Sequence, residues 1–96
     1  MRIISLDLVD TFLKKRPQAQ KALSYWLDLI RAKAWSTPAE VKSEIRTVDT
    51  VAGKMVFNVG GNKYRVICKI GFNTKTVLIL FVGTHKEYDK IDLTKF

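Results

Sequence analysis

Apolar residues recur at helical intervals through the first third of the chain and at alternate positions through the last half, so the sequence divides into a helical part and a sheet part. A brief apolar opening, Ile3, Ile4 and Leu6, reads as a strand. Asp7 then reads as a helix N-cap, with Leu8, Val9, Phe12 and Leu13 following at helical spacing. Lys14, Lys15 and Arg16 close that helix with positive charge, where the macrodipole favours it, and Pro17 marks the break. Gln18 to Lys33 carries the clearest helical pattern. Ala19, Ala22, Leu23, Trp26, Leu27, Leu29 and Ile30 form one apolar stripe, and Gln20, Lys21, Ser24, Asp28 and Arg31 lie largely opposite. Two helices joined by a tight proline turn predict an antiparallel hairpin packed on something else, with Trp26 as core filler.

The stretch from Trp35 to Gly53 reads as mostly loop, apart from a short segment that begins at Pro38, is capped by Thr37 and carries Glu40 in its first turn. After Gly53 the period changes to two. Met55, Phe57 and Val59 share one face and Lys54, Val56 and Asn58 the other. Gly60-Gly61-Asn62 supplies a hairpin turn, because Gly and Asn tolerate positive φ. Lys63 to Ile70 alternates again, with Tyr64, Val66, Cys68 and Ile70 against Lys63, Arg65, Ile67 and Lys69. Asn73-Thr74-Lys75 turns once more, and Thr76 to Val82 is apolar on both faces, as a central strand requires. The expected fold is α+β, in the order β-α-α-β-β-β: an antiparallel-rich sheet with two N-terminal helices packed on one face, in a single domain over residues 1–96.

Composition narrows the function classes. A 96-residue chain that is 47% hydrophobic can bury one small core and is too apolar to be disordered. Seventeen Lys and Arg against nine Asp and Glu give a net charge of +8, a field that favours polyanions. The surplus is larger in the sheet half, where seven Lys and one Arg face three carboxylates from Lys54 onward. The lone Cys68 permits no internal disulfide and sits in an apolar strand pattern, which fits a core residue in a reducing, cytoplasmic setting. No Cys/His cluster suggests a metal site. No early apolar run reads as a signal peptide, since Asp7, Asp10 and Lys14 interrupt it, and Val77 to Val82 is far too short to span a bilayer.

If one sheet face meets the helices, strict alternation leaves Lys54, Asn58, Lys63, Arg65 and Lys69 on the other. Cations so spaced make sense under a bound anion, although a solvated face with edge-protecting lysines gives the same pattern. Arg65 adds a planar fork that can hold a phosphate bidentately and stabilise the charge that develops during phosphodiester cleavage. The alternative for Arg65 is an ion pair with Glu87 or Asp89. The only histidine, His85, follows the central strand, and imidazole is the side chain suited to moving a proton near neutral pH. Tyr88 lies three residues on and would share its face in a helical turn, where a phenol can stack on a base or donate a hydrogen bond. With one histidine, a paired-histidine ribonuclease mechanism is excluded.

Two segments carry a resemblance. Val56-Phe57-Asn58-Val59-Gly60-Gly61-Asn62-Lys63-Tyr64-Arg65-Val66-Ile67 and Phe81-Val82-Gly83-Thr84-His85-Lys86-Glu87-Tyr88-Asp89-Lys90-Ile91 resemble the HigB family of RelE-like toxins. The likeness covers nearly the whole chain, including the Trp35-Ser36-Thr37-Pro38 loop, while the N-terminal helices match in pattern only. It implies a RelE-like fold and a small mRNA endonuclease that acts on messages in the translating ribosome and needs no metal or other cofactor. The RNA 2′-hydroxyl would attack the phosphate, leaving a 2′,3′-cyclic phosphate and a 5′-hydroxyl. Carried onto this chain, Arg65 would neutralise the scissile phosphate, His85 would act as general acid or base, and Tyr88 would orient or stack a nucleotide. Lys54, Lys63, Lys69 and Lys86 would track the backbone, while Asn58 and Asn62 match motif positions. The implied partners are mRNA, the ribosome and a cognate helix-turn-helix antitoxin (HigA-like), with operator DNA reached only through that complex and no membrane. Two alternatives stay open: a non-catalytic toxin of the same fold that binds a protein target such as gyrase, and an RNA- or ribosome-binding module that does not cleave.

Overall fold

The computed structural model describes residues 1–95, so the expected single domain over 1–96 extends one residue beyond it. A five-stranded mixed sheet forms from β1 (Arg2–Ile4), β2 (Asp49–Val51), β3 (Lys54–Val59), β4 (Tyr64–Gly71) and β5 (Thr76–Thr84), in the order β1-β5-β4-β3-β2. β1 runs parallel to β5, and the remaining neighbours are antiparallel. The helices are α1 (Asp7–Lys15), α2 (Gln20–Arg31), α3 (Pro38–Glu44) and α4 (His85–Asp89). A 3-10 turn, Pro17–Ala19, joins α1 to α2, because proline holds the first turn but cannot donate to it.

The alternating faces sort as their apolar periods demand. Met55, Phe57, Val59, Tyr64, Val66, Cys68, Val77 and Ile79 turn towards the helices and bury against Val9, Phe12, Leu23, Trp26 and Ile30. Trp26 meets Phe57 edge to face with ring centroids 5.4 Å apart, and Phe12 meets Tyr64 at 5.8 Å. Such pairs add about 0.5–1.5 kcal/mol each beyond the area they bury. The α-amino group of Met1 donates to the carbonyls of Ile30 and Arg31 at 3.2 and 3.0 Å, which ties β1 to the last turn of α2.

Three local expectations change. Asp7 is the first helical residue of α1; Leu6 occupies the cap position and makes no side-chain cap bond. The segment after Trp35 is structured beyond the expected short capped turn. Thr37 does accept from the Glu40 amide, at 3.3 Å, and α3 follows, but Asp49–Val51 then forms an extra edge strand. Side-chain tethers hold this segment. Lys42 donates to the carbonyls of Arg46 and Val48, and the Trp35 indole and Lys33 ammonium both bond Glu44 at 2.9 Å. These two bonds hold the Glu44 carboxyl below its usual range. Thirdly, the sheet face away from the main core is not a continuous cationic stripe. Val56 and Ile67 on that face are fully buried, so an apolar band interrupts it.

Candidate active site

The antiparallel register of β3, β4 and β5 sets Asn58 opposite Arg65 and Arg65 opposite Gly83, while Tyr64 lies opposite Thr84. One residue of β5, Leu80, is extra: Ile67 pairs Phe81 but Cys68 pairs Ile79. This bulge lies just below the Arg65 row. Gly83 leaves room at that row, because a Cβ there would collide with the ring of Phe81.

The β3–β4 turn holds Gly60, Gly61 and Asn62 at φ of 66°, 60° and 89°. Gly60 is required on a second count, since a Cβ would stand 3.0 Å from the Tyr64 ring and 3.1 Å from the Ala22 methyl. Asn62, bent back in the left-handed region, presents its side-chain oxygen to Arg65 Nη2 at 2.6 Å. Arg65 Nη1 donates to the carbonyls of Asn62 and Tyr64 at 3.2 and 3.1 Å. The guanidinium is thus fixed by neutral acceptors alone, with its residue 8% exposed. Among the described residues no carboxylate lies within 4.0 Å of it. The alternative reading, an ion pair of Arg65 with Glu87 or Asp89, is therefore absent; Glu87 closes a capping box and Asp89 pairs with His85.

Helix α4 begins where β5 ends. Thr84 and Glu87 form a reciprocal capping box: the Glu87 amide donates to Thr84 Oγ1 at 3.2 Å, and the Thr84 amide donates to Glu87 Oε1 at 2.8 Å. The bond from the Thr84 amide is the main cause holding the Glu87 carboxyl below its usual range. The His85 amide donates to the Lys63 carbonyl at 3.0 Å, which clamps the start of α4 to the turn that carries Asn62. Within α4, His85 Nδ1 lies 3.0 Å from Asp89 Oδ2. That bond orients the imidazole and leaves Nε2 as the nitrogen available to a ligand. Tyr88, on the same short helix, stands with its ring centroid 5.9 Å from the Arg65 guanidinium carbon, within cation–π range.

The structure therefore gathers Arg65, Tyr88, Asn58 and Asn62 at one end of the sheet, with His85 joined to them through the Lys63 carbonyl. Exposed Lys63 and Lys86 are chain neighbours of this group. Lys54 and Lys69 are not part of it. Lys69 is four residues from Arg65 along β4, about 14 Å at the usual strand rise. Lys54, at the far end of β3, bonds the Ala52 carbonyl, and the buried Val56 and Ile67 intervene. Asp89 as the partner of His85 went unread in the sequence, although its i,i+4 spacing behind a Thr84 cap was an available signal. Cys68 is fully buried, which pushes its thiol up to about 12 and leaves no thiolate for nucleophilic work. Among the described residues, no group of three or more His, Cys, Asp or Glu could hold a metal, and no helix is long and apolar enough to cross a membrane.

The chain is similar to known proteins of one family. Residues 19–91 match the family model of the HigB toxin, described as the RelE-like toxic component of a toxin–antitoxin system. A protein called mRNA interferase HigB, from Escherichia coli O6:H1 (strain CFT073), is 32% identical over 94 residues, covering 95% of this chain and 91% of the relative. The mRNA interferase toxin HigB of Escherichia coli K12 is 30% identical over 92 residues, covering 93% and 88%. A mRNA interferase HigB from Shigella flexneri gives the same values.

Proposed function

The chain belongs to the HigB toxin family, the RelE-like toxic components of toxin–antitoxin systems, and we propose that it is an endoribonuclease that cuts messenger RNA at the Arg65 site. In the proposed reaction the RNA 2′-oxygen bonds to the adjacent phosphorus and the bond from phosphorus to the 5′-oxygen breaks. The 2′-hydroxyl proton leaves to a base and the departing 5′-oxygen gains one, giving a 2′,3′-cyclic phosphate and a 5′-hydroxyl. Arg65 meets the charge that develops on the non-bridging oxygens, which a fixed donor in a water-poor site stabilises far better than solvent does. His85, oriented by Asp89, provides one side of the proton transfer. Tyr88 stacks on the base beside the scissile phosphate, and Lys63 and Lys86 meet the flanking backbone.

The single observation that carries this reading is the buried Arg65 guanidinium, held only by neutral acceptors. A buried cation without a counter-ion is costly, and a phosphate supplies the missing charge. The mRNA interferase relatives support the same chemistry. Partners consistent with it are the translating ribosome in the cytoplasm and a helix-turn-helix, HigA-like antitoxin that would carry the complex to operator DNA. The test is to induce the wild-type chain and its Arg65→Met and His85→Ala variants, then map RNA ends. Wild type should arrest growth and produce 5′-hydroxyl ends, and both folded variants should produce neither. Intact RNA with arrested growth and damaged DNA would point instead to a gyrase-type target. Cleavage that persists in both variants would move the chemistry elsewhere.

A further inference from the structure

We infer that Asn62 is a positioning residue for the proposed RNA cleavage: its two oxygens occupy the terminal edge of the Arg65 guanidinium, leave the Nε–Nη2 edge free to grip the scissile phosphate, and add no charge in doing so. This role rests on Arg65 being the phosphate receptor, and it fixes which of the Arg65 donors meet the ligand. An arginine side chain carries five N–H donors in a planar fork. Three are used here: Nη1 donates to the carbonyls of Asn62 and Tyr64, and Nη2 donates to Asn62 Oδ1. Nη1 has thus engaged both of its hydrogens and Nη2 one, so the two that remain are on Nε and Nη2. The main-chain and side-chain oxygens of one residue bridge Nη1 and Nη2, so the Nη2 hydrogen left over is the one on the Nε side. It points the same way as the Nε hydrogen, and together they make the pair that a phosphate accepts bidentately. Nε makes no hydrogen bond among the described residues. It is not sealed from solvent either, because the one fully buried side-chain polar atom without a partner there is Trp26 Nε1.

The turn explains the backbone of Asn62 but not its side chain. At a φ of 89° glycine is the least strained residue, and aspartate is tolerated there much as asparagine is. If Arg65 were only a strut, aspartate would hold it better. The 2.6 Å contact would then be charge-assisted, and it would neutralise a guanidinium whose residue is 8% exposed. The amide instead supplies the acceptor and withholds the charge. Since no carboxylate lies within 4.0 Å of the guanidinium among the described residues, its charge is left for a ligand. The same turn is bound to α4, because the Lys63 carbonyl accepts from the His85 amide at 3.0 Å. Asn62 thereby holds the fork in one frame with the helix that carries the imidazole.

The test uses the full chain labelled with 15N and, as probe, an RNA oligonucleotide methylated at every 2′-oxygen, which cannot attack its own phosphates. The pinned guanidinium of the wild type should show separate Nη1 and Nη2 resonances, and the probe should shift Nε–H and Nη2 while Nη1 stays in place. Asn62→Gly keeps the positive φ and removes Oδ1. Exchange between the two Nη resonances should quicken, and RNA cutting after induction should fall about tenfold or more. Asn62→Asp keeps the acceptor and adds the charge. Its Nη resonances should stay separate, the probe should no longer shift Nε–H, and cutting should again fall about tenfold or more. An asparagine that only shaped the turn would tolerate both changes, so full cutting by either folded variant overturns the role. A probe that shifts Nη1 in place of Nε–H, or moves no Arg65 resonance, overturns it on the wild type alone, whether or not a variant folds. Arg65→Met separates the two levels. If it cuts RNA as the wild type does, the assignment of Arg65 itself fails; if it is silent while the Asn62 variants cut fully, only the role of Asn62 is lost.

Discussion

Replacing Arg65 with Met separates what this residue does for folding from what it does for chemistry. Burying an unpaired cation costs several kcal/mol per ion after relaxation, and hydrogen bonds from a charged donor return about 1.5–3 kcal/mol each. Arg65 makes three such bonds, to the Asn62 carbonyl, the Asn62 side-chain oxygen and the Tyr64 carbonyl. The two sides nearly cancel. In the Met variant the Asn62 oxygens can turn to water, because Asn62 is exposed on the turn, while the Tyr64 carbonyl loses a buried donor at about 1–3 kcal/mol. Relief of the buried charge offsets that loss, so the variant should unfold in urea within about 1–2 kcal/mol of wild type. A truncated core residue typically costs about 2–5 kcal/mol. Cleavage should fall about 10²–10³-fold, the usual consequence of removing one preorganised donor to a transition-state oxygen. The assays are an equilibrium urea melt and the rate of RNA cutting by the folded protein. A destabilisation above about 4 kcal/mol with cleavage undiminished in the folded fraction would make Arg65 a structural strut and refute the reasoning.

Asp89→Asn should leave stability almost unchanged, since both members of the His85–Asp89 pair are substantially exposed, but should lower kcat about tenfold with little change in KM. Single-turnover cleavage separates the two parameters. Glu87 titrates low because of the capping box, so the sign follows directly: its contribution is fully present above the ordinary glutamate value of 4.5 and is lost as pH falls through the lower folded value. Amide protection factors across His85–Asp89, taken relative to the intrinsic exchange rate at each pH, should therefore fall on acidification below pH 4.5, and Glu87→Gln should remove most of that dependence. Lys63→Ala should weaken RNA binding and reduce the slope of log affinity against log salt by about one, while Lys69→Ala leaves both alone. Equal effects from the two lysines would contradict the separation set by β4.

The regular part of the fold was legible because its signals are local. The stripe from Ala19 to Ile30, the alternation from Met55 to Val59 and the Gly60-Gly61-Asn62 turn each state their conformation within a few residues. Thr37 likewise announces α3 through its cap. The strand Asp49–Val51 was not legible, because only three residues pair and the segment before it is held by distant tethers, such as Lys75 reaching the Trp35 carbonyl 40 residues away. Alternation also misled at Val56 and Ile67. It assigned them correctly to the face away from the main core but could not show that this face is buried at its centre.

The same limit governs the site. Residue types showed which groups could handle a phosphate, and the strand period placed Arg65 and Asn58 side by side. What residue types alone did not show is how several short-range bonds combine to leave the proposed phosphate-binding Arg65 without a carboxylate partner: the capping box occupies Glu87, His85 occupies Asp89, and the carbonyls of Asn62 and Tyr64 hold the guanidinium without neutralising it. Each nearby acid is diverted by a bond that also builds α4. Helix α4 thus has two effects at once: it places Tyr88 beside the guanidinium, with His85 clamped to the adjoining turn, and it engages both of its own carboxylates. A substitution that frees Glu87 or Asp89 to reach Arg65 should therefore inhibit as effectively as loss of Arg65 itself, because the receptor would be filled from within the chain.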